Sequence, residues 1–476
     1  MASFLREVEH ARQPLELRVS RQPQRGGRCG LDSVFTRCAG LDVHKKSIPA
    51  GRMVPDPTGQ EGEGIAELKT FGTMTRDLLA LADGLTEASI TPVAMESTGE
   101  DWKPGYNLRE DTLTVLLVNA TQVKNVPGRK TDQAAARWVA KLMRFGLRQA
   151  SFIPPTGQRD LRALTRYRTT LVQERVREGN RVQGVLERAT IKLASVISDI
   201  MGVSGRAMLE ALIAGRADPA TMAALAQRRR RSTMPVLEPA LTGIVHAHPR
   251  QLLARQLAPI DVRDEQIEAL TRAMVTALKA LRAPEPPQED QPALPAVGSA
   301  PSVTVSPPLT LTPAVELLDT SPGIDQRGAE VIVAESGIAR SRFETAPRLA
   351  AWAGVAPGHD DRAGKQRSGK TRQGNRPLRA ILTQLAHAAV QTTGTDLSAW
   401  SQRLAARRGK KRAIIAVAHA IMVSVFHMLS RQEPYHELGG HYFDERRRQF
   451  TVDRLTRRIE RLGYRVHLEP VAVPAV

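Results

Sequence analysis

The sequence predicts an α/β layer, then a long Arg-rich helical arm, then a mainly α C-terminal domain. Three observations predict it. Short apolar stretches alternate with helical ones through 37–150, leucines and valines recur at near-heptad spacing beyond Thr156, and a proline-rich stretch at 283–308 precedes a further helical region. A chain of 476 residues exceeds one ordinary domain, and each part is long enough to bury a core.

Residues 1–36, rich in Arg, Gln and Gly without apolar periodicity, read as a disordered basic arm. From Arg37 the pattern alternates. "CAGLDV" and "LKTFGTM" read as strands of an initial hairpin, "TRDLLALADGL" as a helix and "ITPVAM" as an apolar strand. "WKPGYNLRED" holds a short helix, "LTVLLV" is a strand, and a helix runs from Asp132 to about Phe145. Such alternation over 37–150 implies a largely parallel sheet beside the hairpin.

Over 151–282 the arm is expected to be a long helix from Thr156 to near Ile200. Leu161, Leu164, Leu171, Val172, Val176, Val185 and Leu186 give it coiled-coil spacing rather than that of a globular core. A second helical region, Pro239 to Leu281, can pack back on it, with Pro249 and Pro259 expected to kink or break it. The linker 283–308 should be extended and semi-rigid. The C-terminal domain spans 309–430, and 431–476 is a charged extension.

Lys plus Arg number 68 against 49 acids, a formal net charge of +19. A basic surface gains by releasing counterions from phosphates, so nucleic acid is the first expected partner and an anionic membrane surface the second. No run of eighteen apolar residues and no signal pattern occur, which points to a cytoplasmic protein with no membrane partner. Cys29 and Cys38 have no His or Cys cluster around them and read as free thiols. Aromatic residues make up 4%, too few for base-stacking platforms to be the main binding device.

Asp42 ends the first strand, Glu96 ends "VAME", and Asp132 opens the helix after the next strand. Acids at strand ends of an open α/β sheet converge where such sheets bind ligands. Together they could hold Mg²⁺, which favours carboxylate and water oxygens and can activate the nucleophile and leaving group of a phosphodiester. Helix caps and surface acids remain the alternative, and Asp132 suits a cap.

"GLDVHKKS", "VAMESTGEDWKPGYNL", "VNATQVKNVPGRKTD", "LTRYRTTLVQERVREGNRVQGVLE", "SDIMGVSGRAMLEAL" and "LAARRGKKRAIIAVAHAIM" follow one another in an order that resembles the insertion-sequence one-ten family of DEDD transposases. The resemblance covers about 37–465. It implies a RuvC-like (RNase H-like) α/β N-terminal domain, whose first three acids match Asp42, Glu96 and Asp132, and a C-terminal serine transposase domain. It further implies Mg²⁺, DNA, a structured guide RNA from the element and a homo-oligomer. The family's fourth acid belongs three residues after the third, one turn along the same helix face. Ala135 stands there.

"LLDTSPGIDQRGAEVIVAESG" has the shape helix, Pro-Gly turn, helix, and resembles the family's helix-hairpin-helix. Its turn would expose amides to a DNA phosphate, and an ordinary αα turn is the alternative. "WAGVAPGHDDRAGKQRSGKTRQGNRPLRAIL" is dense in cations, Arg362, Lys365, Arg367, Lys370, Arg372 and Arg376 among them. Its glycines let a backbone approach phosphate closely. In the family this loop reads Asn-Glu-Ser-Ala-Gly-Lys with a nucleophilic serine, and Arg362 takes that serine's place. Arg clamps phosphate but cannot attack it. Ser368 is the nearest substitute hydroxyl, with no role in the family motif. Arg407, Arg408, Lys410 and Lys411 form a second cationic stretch, and His419 and His427 beyond it read as structural.

The expectation is a transposase or recombinase impaired by Ala135 and Arg362. Two alternatives stand beside it: a non-enzymatic nucleic-acid-binding derivative, and a RuvC-like metal-dependent nuclease using only Asp42, Glu96 and Asp132.

Overall fold

The computed structural model describes residues 34–55, 65–97, 99–107, 113–119, 132–146, 151, 153–215, 218–226, 234–281, 310–340, 343–358, 360–362, 365–446 and 448–468. The expected basic arm as far as 33, with Cys29, the linker 283–308 and the end of the chain from 469 lie outside them. The chain divides into two compact units, Met1–Ile153 and Pro154–Val476.

In the N-terminal unit, β1 (Cys38–Val43), β2 (Ser47–Val54) and β3 (Ile65–Gly72) form an antiparallel meander. Then follow α1 (Thr75–Glu87), β4 (Pro92–Ser97), α2 (Lys103–Asn107), β5 (Thr114–Asn119) and α3 (Asp132–Arg144). The sheet order is β3-β2-β1-β4-β5, with β1, β4 and β5 mutually parallel. The sheet is therefore mixed, not largely parallel. The expected hairpin omitted β2, whose "SIPAGRMV" carries Pro49 and Gly51, residues that weaken any strand pattern. Proline is tolerated there because the ladder to β1 ends at Leu41↔Ala50, one residue before Pro49.

Strand alternation assigns the two faces of this sheet. Ala39, Leu41 and Val43, with Val93 and Met95, pack with Leu78, Leu81 and Leu85 of α1. Cys38 and Ala94, with Met53 and Val118, pack with Val139, Ala140 and Met143 of α3. Gly40 lies on the α3 face, where a Cβ would stand 2.2 Å from the Ala140 nitrogen and 2.5 Å from the Ala136 oxygen. Helix and strand touch backbone to backbone.

The C-terminal unit begins with α4 (Thr156–Arg188), α5 (Leu193–Val196), α6 (Val203–Ala214), α7 (Pro219–Ala224), α8 (Met234–Leu241) and α9 (Ala247–Ala280). Helices α4 and α9 run antiparallel. Arg175 pairs with Asp264, Arg263 Nε lies 3.3 Å from Glu174, and Arg168 Nε donates to Thr271 Oγ1 at 2.9 Å. Three expectations are corrected here. Helix α4 stops at Arg188, and Thr190 has φ +61, so the helix does not reach Ile200. The far end of the pair is a globular core after all, because Val182, Val185 and Leu186 join Met208, Leu209, Leu237, Leu253, Leu257 and Ile260. Neither proline breaks α9. Pro249 sits in the first turn, where no intrahelical N–H is needed, and α9 continues through Pro259 with Leu257 and Ile260 held in that core.

Next come α10 (Leu311–Asp319), α11 (Gln326–Ser336), α12 (Ala346–Trp352), the short antiparallel β6 (Asp360–Arg362) and β7 (Lys365–Ser368), then α13 (Arg376–Gln391), α14 (Asp396–Arg408), α15 (Lys410–Arg431), α16 (Tyr442–Arg446) and α17 (Arg448–Glu460). Helix α15 is the centre of this bundle and packs against α10, α12, α13 and α14. Among the described helices it alone is long and apolar enough to cross a membrane, yet most of its apolar side chains are already buried in the bundle.

Gly40→Ala should destabilise the N-terminal unit by about 1–3 kcal/mol, because the added methyl meets main-chain atoms that cannot rotate away. Urea unfolding followed by the fluorescence of a probe in that unit measures it; an unchanged midpoint would contradict the packing described.

Candidate functional site

Asp42 and Glu96 are register partners across the parallel β1 and β4, so their side chains leave the sheet on the same face, the one covered by α3. Both are buried, at 8% and 7% exposure. Asp132 begins α3, and the seating of α3 on Gly40 brings it to the same edge although 90 residues separate it from Asp42. His44, two residues past Asp42 and hence on the same side of the chain, stands between the acids. Its Nε2 is 3.3 Å from Asp42 Oδ2 and 3.6 Å from Asp132 Oδ2. One ligand atom from each of Asp42, His44 and Asp132 fits within 4.8 Å of the others. Ala135 follows one turn along α3, half-buried.

The donor set suits a divalent cation, since adjacent ligands of an ion bound at about 2.1 Å stand about 3.0–3.4 Å apart. His44 escaped the reading of acids alone. The signal was present as Asp-x-His at a strand end, where a period of two puts both side chains on one side. The thiol of Cys38, on the same face of β1, is buried and free, and desolvation pushes it up to about 11.

The cationic residues singled out from the sequence of the C-terminal unit fall in two places. The loop between α12 and α13 is closed at its neck: the Asn375 amide donates to the Trp352 carbonyl at 3.1 Å, and Gly354, with φ +78, packs directly on Gly374, where a Cβ would lie 2.4 Å from the Gly354 nitrogen. Arg362, Lys365, Arg367 and Ser368 are carried on β6 and β7, with Arg362 opposite Lys365, and their side chains lie outside the described residues. Lys370, Arg372 and Arg376 are exposed. The second place is the corner between α14 and α15 at Gly409, φ +85, where Arg407, Arg408, Lys410 and Lys411 are all exposed. Cations at the start of α15 oppose its macrodipole, a cost that a bound anion would offset.

The Pro322-Gly323 turn joins α10 to α11 and packs closely on α13. Gly323, with φ +80, presses on the backbone of α13, where a Cβ would lie 2.4 Å from the Ala389 nitrogen. The N-terminus of α11 is already capped by its own carboxylate, Asp325, which accepts from the Gly328 amide at 2.8 Å. His419 is mostly buried, which lowers its pKa, and His427 lies edge-on to Phe426, both consistent with structural roles.

Sequence reasoning also missed a buried anchor. Glu335 on α11 is fully buried and accepts from Arg166 Nε and Nη2 at 2.7 and 2.9 Å and from Asn375 Nδ2 at 2.7 Å. Asn375 in turn caps α13 by accepting from the Leu378 amide at 3.0 Å. Arg162 on α4 donates to the Glu335 and Ala334 carbonyls, and burial lowers it to about 10, so it stays cationic at neutral pH. One carboxylate thus ties α4, α11 and the root of the basic loop.

The chain thus combines an α/β layer that gathers acids at its sheet edge with a second, helical unit. Residues 39–191 match a family model described as a transposase, the DEDD type of IS110, and residues 315–402 match one described as "Transposase IS116/IS110/IS902 family". Together they take in just over half of the chain. The chain belongs to the IS110 family of insertion-element transposases. No curated protein matches it.

Removing the buried anchor should be costly: Glu335→Ala leaves Arg166 and Asn375 without their acceptor and is expected to lower the stability of the C-terminal unit by about 3–5 kcal/mol in chemical unfolding. A loss under about 1 kcal/mol would contradict it. A second outcome concerns Asp396, which desolvation and the neighbouring Glu437 push up to about 6, against the Tyr435 hydroxyl that donates to it at 3.0 Å. A raised acid favours the folded state only while protonated, so this contribution is lost as pH rises from about 4 to about 6. Asp396→Asn should therefore raise the melting temperature at pH 7.5 and give little gain at pH 4; equal gains at both would refute the pairing.

Proposed function

We propose that this chain is a transposase or recombinase that retains its nucleic-acid-binding surfaces but is catalytically impaired. What supports this is the register pairing of Asp42 with Glu96 across β1 and β4 and the approach of Asp132 to Asp42, set against Ala135 and Arg362 at the two positions where the resembled family pattern calls for an acid and a serine. Asp42, Glu96 and Asp132 would hold Mg²⁺, which when bound polarises a phosphodiester and lowers the pKa of its water. Of the chain's own groups, the buried Asp42 and Glu96 orient the site and Asp132 closes it from the helix side. Loss of one ligand weakens a metal site, whereas loss of a covalent nucleophile has no ordinary substitute, so Arg362 weighs more.

The partners are DNA and the structured RNA of the element, held through phosphate and shape by the loop cations Arg362, Lys365, Arg367, Lys370, Arg372 and Arg376 and the corner cations Arg407, Arg408, Lys410 and Lys411. The part of the α4/α9 pair outside the globular core serves as a coiled-coil assembly arm in a cytoplasmic homo-oligomer, and α10–α11 as a helix-hairpin-helix. The organisation behind this is an arm at 1–36, a RuvC-like domain at 37–150, the helical arm at 151–282, a linker at 283–308, the transposase domain at 309–430 and an extension at 431–476. Because the acids converge without a family serine, strand hydrolysis by the metal site alone is the second reading, and Ser368 the weaker candidate for a replacement nucleophile.

The full chain with its element's RNA and donor and target DNA in Mg²⁺ tests these together. The expected outcome is salt-sensitive binding without strand exchange, and recovery of exchange in Arg362→Ser combined with Ala135→Asp. Recombination or a covalent protein–DNA adduct formed by the unaltered chain would refute impairment. Metal-dependent nicking that disappears in Glu96→Ala would establish the nuclease instead.

A further inference from the structure

Within the edge cluster, His44 occupies the position that matters most for the identity of a bound ion. Its Nε2 is shielded from solvent and makes no hydrogen bond among the described residues, while facing Asp42 Oδ2 at 3.3 Å and Asp132 Oδ2 at 3.6 Å. The 3.3 Å separation matches adjacent donors around one small divalent ion, for which bonds of about 2.1 Å place neighbouring ligand atoms about 3.0–3.4 Å apart, and the 3.6 Å to Asp132, which is exposed at the start of α3, lies just beyond that range. The backbone holds the ring there. The His44 amide donates to the Ser47 carbonyl at 3.0 Å across the β1–β2 turn, and Thr73 Oγ1 donates to the Lys45 carbonyl at 3.0 Å, bracing that turn from the end of β3.

We propose that His44 is a direct metal ligand, and that the site is a mixed nitrogen–oxygen centre preferring a first-row transition ion such as Mn²⁺ over Mg²⁺. The inference rests on the reading that the acids hold a metal, and it makes that reading more specific. Imidazole is a poor donor for Mg²⁺, which prefers oxygen and keeps its waters, but a good one for transition ions. Replacement of the fourth acid by Ala135 removes an oxygen donor from the same site and shifts the donor balance further toward nitrogen. The site then has two aspartates and an imidazole, with Glu96 beside Asp42 on β4 and room for water on the side where Asp132 is exposed.

The test uses the full-length protein without nucleic acid and reads binding rather than activity. Mn²⁺ and Mg²⁺ affinities are measured by titration calorimetry for the unaltered chain, His44→Gln and Asp42→Asn, and pulsed paramagnetic resonance of bound Mn²⁺ reports nitrogen in its coordination shell. The expected results are at least tenfold tighter binding of Mn²⁺ than Mg²⁺, a directly bound ¹⁴N signal, and loss of both in His44→Gln with Mg²⁺ affinity little changed. Mn²⁺ that binds with no ¹⁴N coupling, and equally in His44→Gln, would overturn the role of His44 while leaving a metal site made of acids. Failure of either ion to bind the unaltered chain would overturn the metal reading itself, and with it this one.

Discussion

A helix can rest directly on a β-sheet only where neither presents a side chain at the crossing, and in the N-terminal unit that condition is met by Gly40 beneath Ala136 and Ala140. The crossing is close enough that one methyl group would collide with main-chain atoms. Everything at the sheet edge follows from it. The start of α3 is carried over the end of β1, so that Asp132 meets His44 and Asp42, while the parallel register of β1 and β4 supplies Glu96 from the other side. The run Ala134, Ala135, Ala136 is thus two things at once. Ala136 is required by packing, and Ala135, half-buried, is free of that demand.

The C-terminal unit depends on a different interaction with similar reach. Glu335 is a charge taken wholly out of water, tolerable because two guanidinium nitrogens and an amide satisfy it. Those donors come from α4 and from the cap of α13, so the direction of the long helix and the root of the basic loop are set by one carboxylate. The loop is pinched at Gly354 and Gly374, and beyond that neck Lys370, Arg372 and Arg376 are exposed. Charge in this unit is therefore divided: part of it builds the fold, and part is displayed, at the root of the loop, at the α14–α15 corner and along α4 and α17.

Most of the secondary structure was legible because it follows local periodicity. The strand "CAGLDV", the helix from Asp132 and the antiparallel helical pair all come from patterns within one element. What escaped notice did so for physical reasons that can be named. Strand β2 contains Pro49 and Gly51, which erase its pattern, and it is a strand only because β1 and β3 hold it on both sides. Helix α9 survives Pro259 because a core stands against its apolar stripe, and heptad spacing in α4 could not reveal that its last turns enter that core. The amides at the start of α11 looked available in sequence, but Asp325 holds one of them, that of Gly328.

The sequence by itself determined the charge of this protein, its alternation of strand and helix, and the places of Asp42, Glu96 and Asp132 at element ends, because each of these is a property of residue type and short-range order. Only the tertiary structure decided that Asp42 and Asp132 meet, that His44 lies between them, and that Glu335 anchors the basic loop. Those facts depend on two glycine-lined contacts and on side chains supplied from segments far apart in the chain. No local pattern encodes such meetings; they arise when packed elements close the distance.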